Sequence, residues 1–206
     1  MTRDAFHQEL TEIEEAVIQM AALVESAIAR AMRALDAHDV ALSEEIVTGD
    51  GAINDFQRNI RSRCISVMAR QAPVARDLRQ LVTVQLVISE LERMGDHAAG
   101  IAKQVSRMTG SQMQPELNDL EELATLARGQ VRDGIQSFVD VNVRQARDVC
   151  VRDDEIDHRY RIIFTRLLDR MRHEPESVQD ATSLLFVAHD LERIGDRVTN
   201  ICEDVI

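Results

Sequence analysis

Four pairs of oxygen-bearing side chains recur at a spacing of four residues: Asp50 with Asn54, Glu92 with Asp96, Asp153 with Asp157, and Glu192 with Asp196. On a helix, residues four apart share a face, so each pair sets two donors one turn from each other. Two acids in that relation repel by roughly 0.2–0.5 kcal/mol, and a shared cation removes the penalty. All-oxygen ligation suits hard ions such as Mg²⁺, Ca²⁺, Mn²⁺ or ferric iron. The sets differ in charge. The first holds three acids and an amide, with Lys103 near the Glu92–Asp96 stripe; the second holds four acids, with Glu203 in the place of Lys103. The second set is therefore expected to hold cations more tightly.

The second and fourth pairs sit in near-identical hexapeptides, LERMGD at 91–96 and LERIGD at 191–196. A glycine inside a helix costs about 1 kcal/mol relative to alanine. At ~100° per residue, Gly95 falls in the middle of the face carrying Leu81, Val84, Ile88, Leu91 and Ala102. A missing Cβ on the core face implies close approach by another helix. The carboxylates border that approach, so the partner donors are expected at 50–54 and 153–157, each pair flanking an inward-pointing isoleucine, Ile53 or Ile156.

Other chemistries find less support. Di-iron carboxylate bundles carry Glu-x-x-His on two helices; Glu155 and His158 supply one copy, and the matching INDFQ segment has none. His97 and His189 lie near the acids but read as exposed polar residues. Cys64, Cys150 and Cys202 show no C-x-x-C pairing and read as small buried hydrophobes of a reducing compartment. No catalytic residue is assigned, and the chain is not expected to be an enzyme. A metal-free adaptor is the main alternative, its acids docking arginines of a partner, with Arg93 and Arg193 facing solvent beside them.

Long helices must position these groups. Aromatics are 3%, with 8 Gly and 3 Pro in 206 residues, a composition of helix formers. Apolar periodicity predicts helices at about 4–37, 40–71, 74–108, 116–139, 143–173 and 176–206. Asp39 and Asn142 are the expected N-caps, and Pro73, Pro115 and Pro175 each precede a periodic run. The second half repeats the first. With an offset of 103, Asp50 meets Asp153, Ile53 meets Ile156 and Ile60 meets Ile163; beyond the loops at Pro73 and Pro175 the offset is 100. The expected architecture is all-α, two tandem three-helix bundles related by internal duplication, at 1–110 and 115–206, joined through Gly110–Gln114.

The net charge of −12 disfavours a nucleic-acid partner, which requires clustered Lys and Arg. No Gly-rich phosphate loop is visible. No signal peptide and no apolar run long enough to span a membrane is present, so a cytoplasmic protein is expected.

The paired shape LER-x-GD-x-x-x-x-I, in LERMGDHAAGIAK and DLERIGDRVTNICEDV, resembles the PhoU family, and the likeness extends over nearly the whole chain. The resemblance implies duplicated three-helix bundles bearing multinuclear metal clusters, often iron or zinc. It carries the ligand role to Asp50, Asn54, Glu92 and Asp96, and to Asp153, Asp157, Glu192 and Asp196. It also implies a cytoplasmic homodimer that regulates phosphate uptake and starvation signalling by protein contact. The implied partners are the ATPase subunit of the phosphate ABC transporter (PstB) and a sensor histidine kinase (PhoR), with membranes reached through partners only.

Overall fold

A computed structural model describes residues 3–110 and 113–206, so part of the expected linker, residues 111–112, lies outside the described residues. The chain folds into α1 (Arg3–Asp36), α2 (Val40–Gly49), α3 (Gly51–Gln71), α4 (Ala75–Val105), α5 (Gln114–Val139), α6 (Val143–His173) and α7 (Val178–Val205). A 3-10 turn at Pro175–Ser177 precedes α7, so Pro175 opens that turn and not the helix itself. The expected caps form: the Asp39 side chain accepts from Leu42 N–H at 3.0 Å, and Asn142 Oδ1 accepts from Gln145 N–H at 3.1 Å. Among the described residues no helix is long and apolar enough to cross a membrane.

One expected helix is divided. Residues 40–71 form α2 and α3, separated at Asp50, whose φ of −56° and ψ of −30° remain helical. Glycines flank Asp50 on both sides and give the local turn little support. The matching stretch of α6 has Arg152 and Asp154 there and runs unbroken.

Helices α1 to α4 pack together, as do α5 to α7, and the halves meet where α4 lies against α7 and α1 against α5. The apolar core is continuous across both halves, from Ile13, Met20 and Ile28 through Ile88 and Leu91 to Leu120, Leu184 and Leu191. Each such side chain contributes roughly 1.5–3 kcal/mol on burial, so the halves stabilise one another. The α4–α7 seam carries two polar links. His97 Nδ1 lies 2.9 Å from Asp190 Oδ1; Glu90 Oε2 accepts from Arg197 at 3.4 Å and Asn200 at 3.2 Å. At the offset of 100, position 90 matches 190 and position 97 matches 197, so the links exchange roles across the duplication. His97 thus corrects the exposed reading: only a quarter of its side chain reaches solvent. Cys150 is also only half-buried, unlike Cys64 and Cys202.

Candidate metal centre

The glycines stand where neighbouring helices come closest. A Cβ placed on Gly95 would lie 2.9 Å from Ile53 Cδ1 and 3.2 Å from Asp50 Oδ1. On Gly195 it would lie 2.8 Å from Asp153 Oδ1 and 3.3 Å from Ile156 Cδ1. Both isoleucines are buried, as their spacing requires. The LERMGD segment therefore faces 50–54, and LERIGD faces 153–157. Seven of the eight donors are half-buried, and Asp96 is exposed.

Electrostatics ties the pairs together. Burial pushes the Asp50 carboxyl up, and the charge of Asp96 pushes it further; an Asn54 hydrogen bond and Lys103 act the other way. Glu92 is raised by burial, then by Asp96 and Asp50. In the second set, burial raises Asp153, Gln130 opposes the rise through a hydrogen bond, and Asp157 and Asp196 add to it. Glu192 is raised by burial and by Asp196, against His189 and Arg193. Mutual repulsion among half-buried acids is what a cation would relieve.

Several acids are already engaged within the chain. Asn54 Nδ2 donates to Asp50 Oδ2 at 3.1 Å, Gln130 Nε2 to Asp153 Oδ1 at 3.3 Å, and Arg193 to Asp196 Oδ2 at 2.7 Å. Among the described residues no three His, Cys, Asp or Glu side chains are grouped so as to hold an ion as they stand. Asp50 borders a cavity beside Gly95, and the side chains of either set would have to rearrange to hold an ion. The chemistry of the set still suits one. Buried oxygens of the second cleft, Glu192 Oε2 and Gln130 Oε1, make no hydrogen bond.

Gln130 escaped the sequence reading. It is buried, and its Oε1 lies 3.2 Å from a Cβ placed on Gly195. The offset of 103 leads from it to Ala27, so the repeat itself marked the difference. In the first half that smaller residue borders a cavity of about 180 Å³, lined also by Arg30, Asp50, Ile53 and Gly95. Arg93 and Arg193, expected to face solvent, behave differently from each other: Arg93 is exposed and reaches back to Glu90 at 3.4 Å, whereas Arg193 grips the cleft acid Asp196. Glu155 and His158 both lie on the exposed surface, Glu155 beside Arg159.

Comparison with known proteins agrees with this arrangement. The family model described as PhoU domain matches residues 17–105 and again 120–205, one copy per half. The phosphate-specific transport system accessory protein PhoU homolog of Clostridium acetobutylicum is 36% identical over 207 residues, spanning 100% of this chain and 94% of that one. The Rhizobium meliloti protein of the same description is 34% identical, spanning 98% of this chain and 85% of its own. The crystal structure of PhoU from Pseudomonas aeruginosa superposes with a TM-score of 0.90 at 27% identity, covering 98% of this chain and 97% of the other. The phosphate transport system regulatory protein PhoU from Streptococcus pneumoniae does so at 0.90 and 31%, covering 97% and 94%. Two matched domains, each holding the glycine-bearing acid motif against its partner pair, place the chain in the PhoU family.

Proposed function

We propose that this chain is an accessory regulator of phosphate transport that acts by protein contact and binds metal ions in both acid-lined clefts. The observation that carries the reading is the approach of each LER-x-GD glycine to the opposing aspartate, Asp50 or Asp153. In each half it brings the aspartate of one donor pair beside the helix that carries the other pair. Asp50, Asn54, Glu92 and Asp96 would hold the first centre, and Asp153, Asp157, Glu192 and Asp196 the second, with iron or zinc as the ions. Bound metal would neutralise the repelling carboxylates and fix α4 against α2 and α3, and α7 against α6, giving the partner a defined surface. The relatives are named as accessory proteins of the phosphate-specific transport system, which supports a contact-based role over catalysis. The proposed partners are the transporter's ATPase subunit (PstB) and the sensor kinase (PhoR), engaged by a cytoplasmic homodimer.

A metal-free adaptor is the second reading, favoured by the Arg193–Asp196 pair. An acid that accepts an arginine of its own chain would accept one from a partner. Elemental analysis of protein purified without chelators separates the two. Metal that disappears in Glu192→Ala and Asp196→Ala supports the first reading. Metal-free protein whose capture of the ATPase subunit is lost in the same variants supports the second.

A further inference from the structure

Away from the acid clefts, the duplication forms one further groove in each half, and the two differ in what covers them. Helices α4 and α7 cross antiparallel, with His97 against Asp190 and Glu90 against Asn200. The non-helical residues that follow α4 therefore run past the start of α7. Thr109 donates its N–H to Asp180 Oδ1 at 2.6 Å and its hydroxyl to Asp180 Oδ2 at 3.0 Å. Gln179 Nε2 donates to the Arg107 carbonyl at 2.7 Å. Asp180, Ser183 and Val105 are buried there.

At the offset of 100 the equivalent place lies beside the start of α4, next to Val205. A cavity of about 450 Å³ opens between Arg76, Arg79 and Thr83 of α4, Phe138 and Val141 at the end of α5, and Val205. Gln80, Thr83 and Val205, the counterparts of Asp180, Ser183 and Val105, are only half-buried. The charge of the lining is also reversed. Arg79 stands for Gln179, Gln80 for Asp180, and Arg76 for Glu176. Neither guanidinium forms an ion pair with a described residue, on a chain whose net charge is −12. Asp204 is the one acid of the lining. It offers an acceptor for a backbone N–H, the part Asp180 plays opposite Thr109. Val141 points to contact independently. Its φ is +49°, which a β-branched residue rarely adopts, and its side chain is 56% exposed at the rim.

We infer that this groove docks an extended acidic segment of a partner protein. Carboxylates of the segment meet Arg76 and Arg79, and an aliphatic side chain packs against Phe138, Val141 and Val205. The covered groove of the other half shows how a chain segment lies along such a helix start, and the exchange of acids for arginines sets the sign of the ligand. The inference needs no bound metal and rests on the contact-based reading above.

The test uses the full chain with two fluorescein-labelled peptides, acidic DEDLVD and basic KRKLVK, read by anisotropy at low salt, about 20 mM. The acidic peptide is expected to bind and the basic one not to. Arg76→Glu combined with Arg79→Glu should weaken the acidic peptide by about tenfold or more and admit the basic one. Both arginines are exposed, so helicity by circular dichroism should be unchanged. Val141→Gly should raise Tm, because glycine accepts a positive φ, and yet weaken the acidic peptide by about threefold. A merely structural role would not move the two in opposite directions. An acidic peptide that fails to bind at about 1 mM, or binds the double variant equally well, overturns the groove. If the transporter's ATPase subunit is still captured in that case, the contact reading stands; if it is not, both fall. A dimer in sedimentation that the double variant dissociates makes a second copy the occupant and overturns the partner assignment.

Discussion

The two clefts are built from the same helical pairs and the same glycine, yet their walls differ. In the first, the helix bearing Asp50 is broken between two glycines, Ala27 leaves a cavity of about 180 Å³ behind Asp50, and Lys103 lends positive charge. In the second, α6 is continuous, Gln130 takes the place of Ala27 and braces Asp153, and Glu203 stands where Lys103 does. Duplication preserved the backbone approach while the lining diverged. Position of donors and preference of a site are therefore separable: main-chain proximity fixes one, and a few lining residues set the other.

The largest difference should appear on filling the glycines. Gly195→Leu drives a side chain into Asp153, Gln130 and Ile156, and overpacking of this kind costs about 2 kcal/mol. Thermal unfolding should show Tm falling by about 4–8 °C. Gly95→Leu meets Ile53 and Asp50, but beside an existing cavity. It should cost about half as much. Equal losses would dissolve the contrast between the walls.

Next in size is the charge at Lys103. Lys103→Glu copies the second half into the first and exchanges a positive charge that holds the Asp50 carboxyl down for a negative one. The exchange should strengthen cation binding at the first cleft by about fivefold or more. It should also push the Asp50 carboxyl further up, read by carboxyl NMR titration. No gain would mean that Lys103 does not explain the expected difference in affinity.

Gln130→Ala makes the second wall resemble the first. Loss of its hydrogen bond to Asp153 should cost about 1 kcal/mol by urea denaturation, partly offset because Oε1 is unpaired. The Asp153 carboxyl should rise further, since that hydrogen bond is what holds it down. The reciprocal change, Ala27→Gln, should partly fill the first cavity.

The smallest effect concerns the charge on Glu192. Its folded-state carboxyl lies above the ordinary 4.5, through burial first and Asp196 second. The folded chain therefore holds that proton to higher pH than the unfolded chain does. Stability from this group is present below the ordinary value, declines as pH rises towards the raised one, and is fully lost at neutrality. Glu192→Gln should accordingly raise the Tm of chelator-treated protein at pH 7, by about 2 °C, and lower it relative to the parent when zinc is added.

Much of this was legible in the residues. Periodicity, caps and the repeat located the helices to within a few positions, because a 3.6-residue apolar pattern and Asp39 or Asn142 at a helix start act locally. Gly95 and Gly195 announced the close approach, since a glycine on the core face of a helix removes a side chain where a neighbouring helix can draw in. The break at Asp50 was missed because isolated glycines at 49 and 51 do not by themselves reveal which helix will part. Gln130 was missed because a lone amide on a long helix has no pattern; only its facing neighbours give it meaning. His97 was misjudged for a related reason: its partner Asp190 is remote in sequence and comes from the other half.

The sequence by itself determined the all-α class, the duplication and the two sets of opposed donors, because each is written in spacing along one helix or in repetition between halves. Tertiary structure alone decided what stands behind those donors: a cavity at Ala27, a buried amide at Gln130, an imidazole beside an unpaired oxygen of Glu192, and a seam joined by His97–Asp190 and Glu90–Arg197. Those relations depend on the distance between helices far apart in the chain, and packing of the shared core sets that distance.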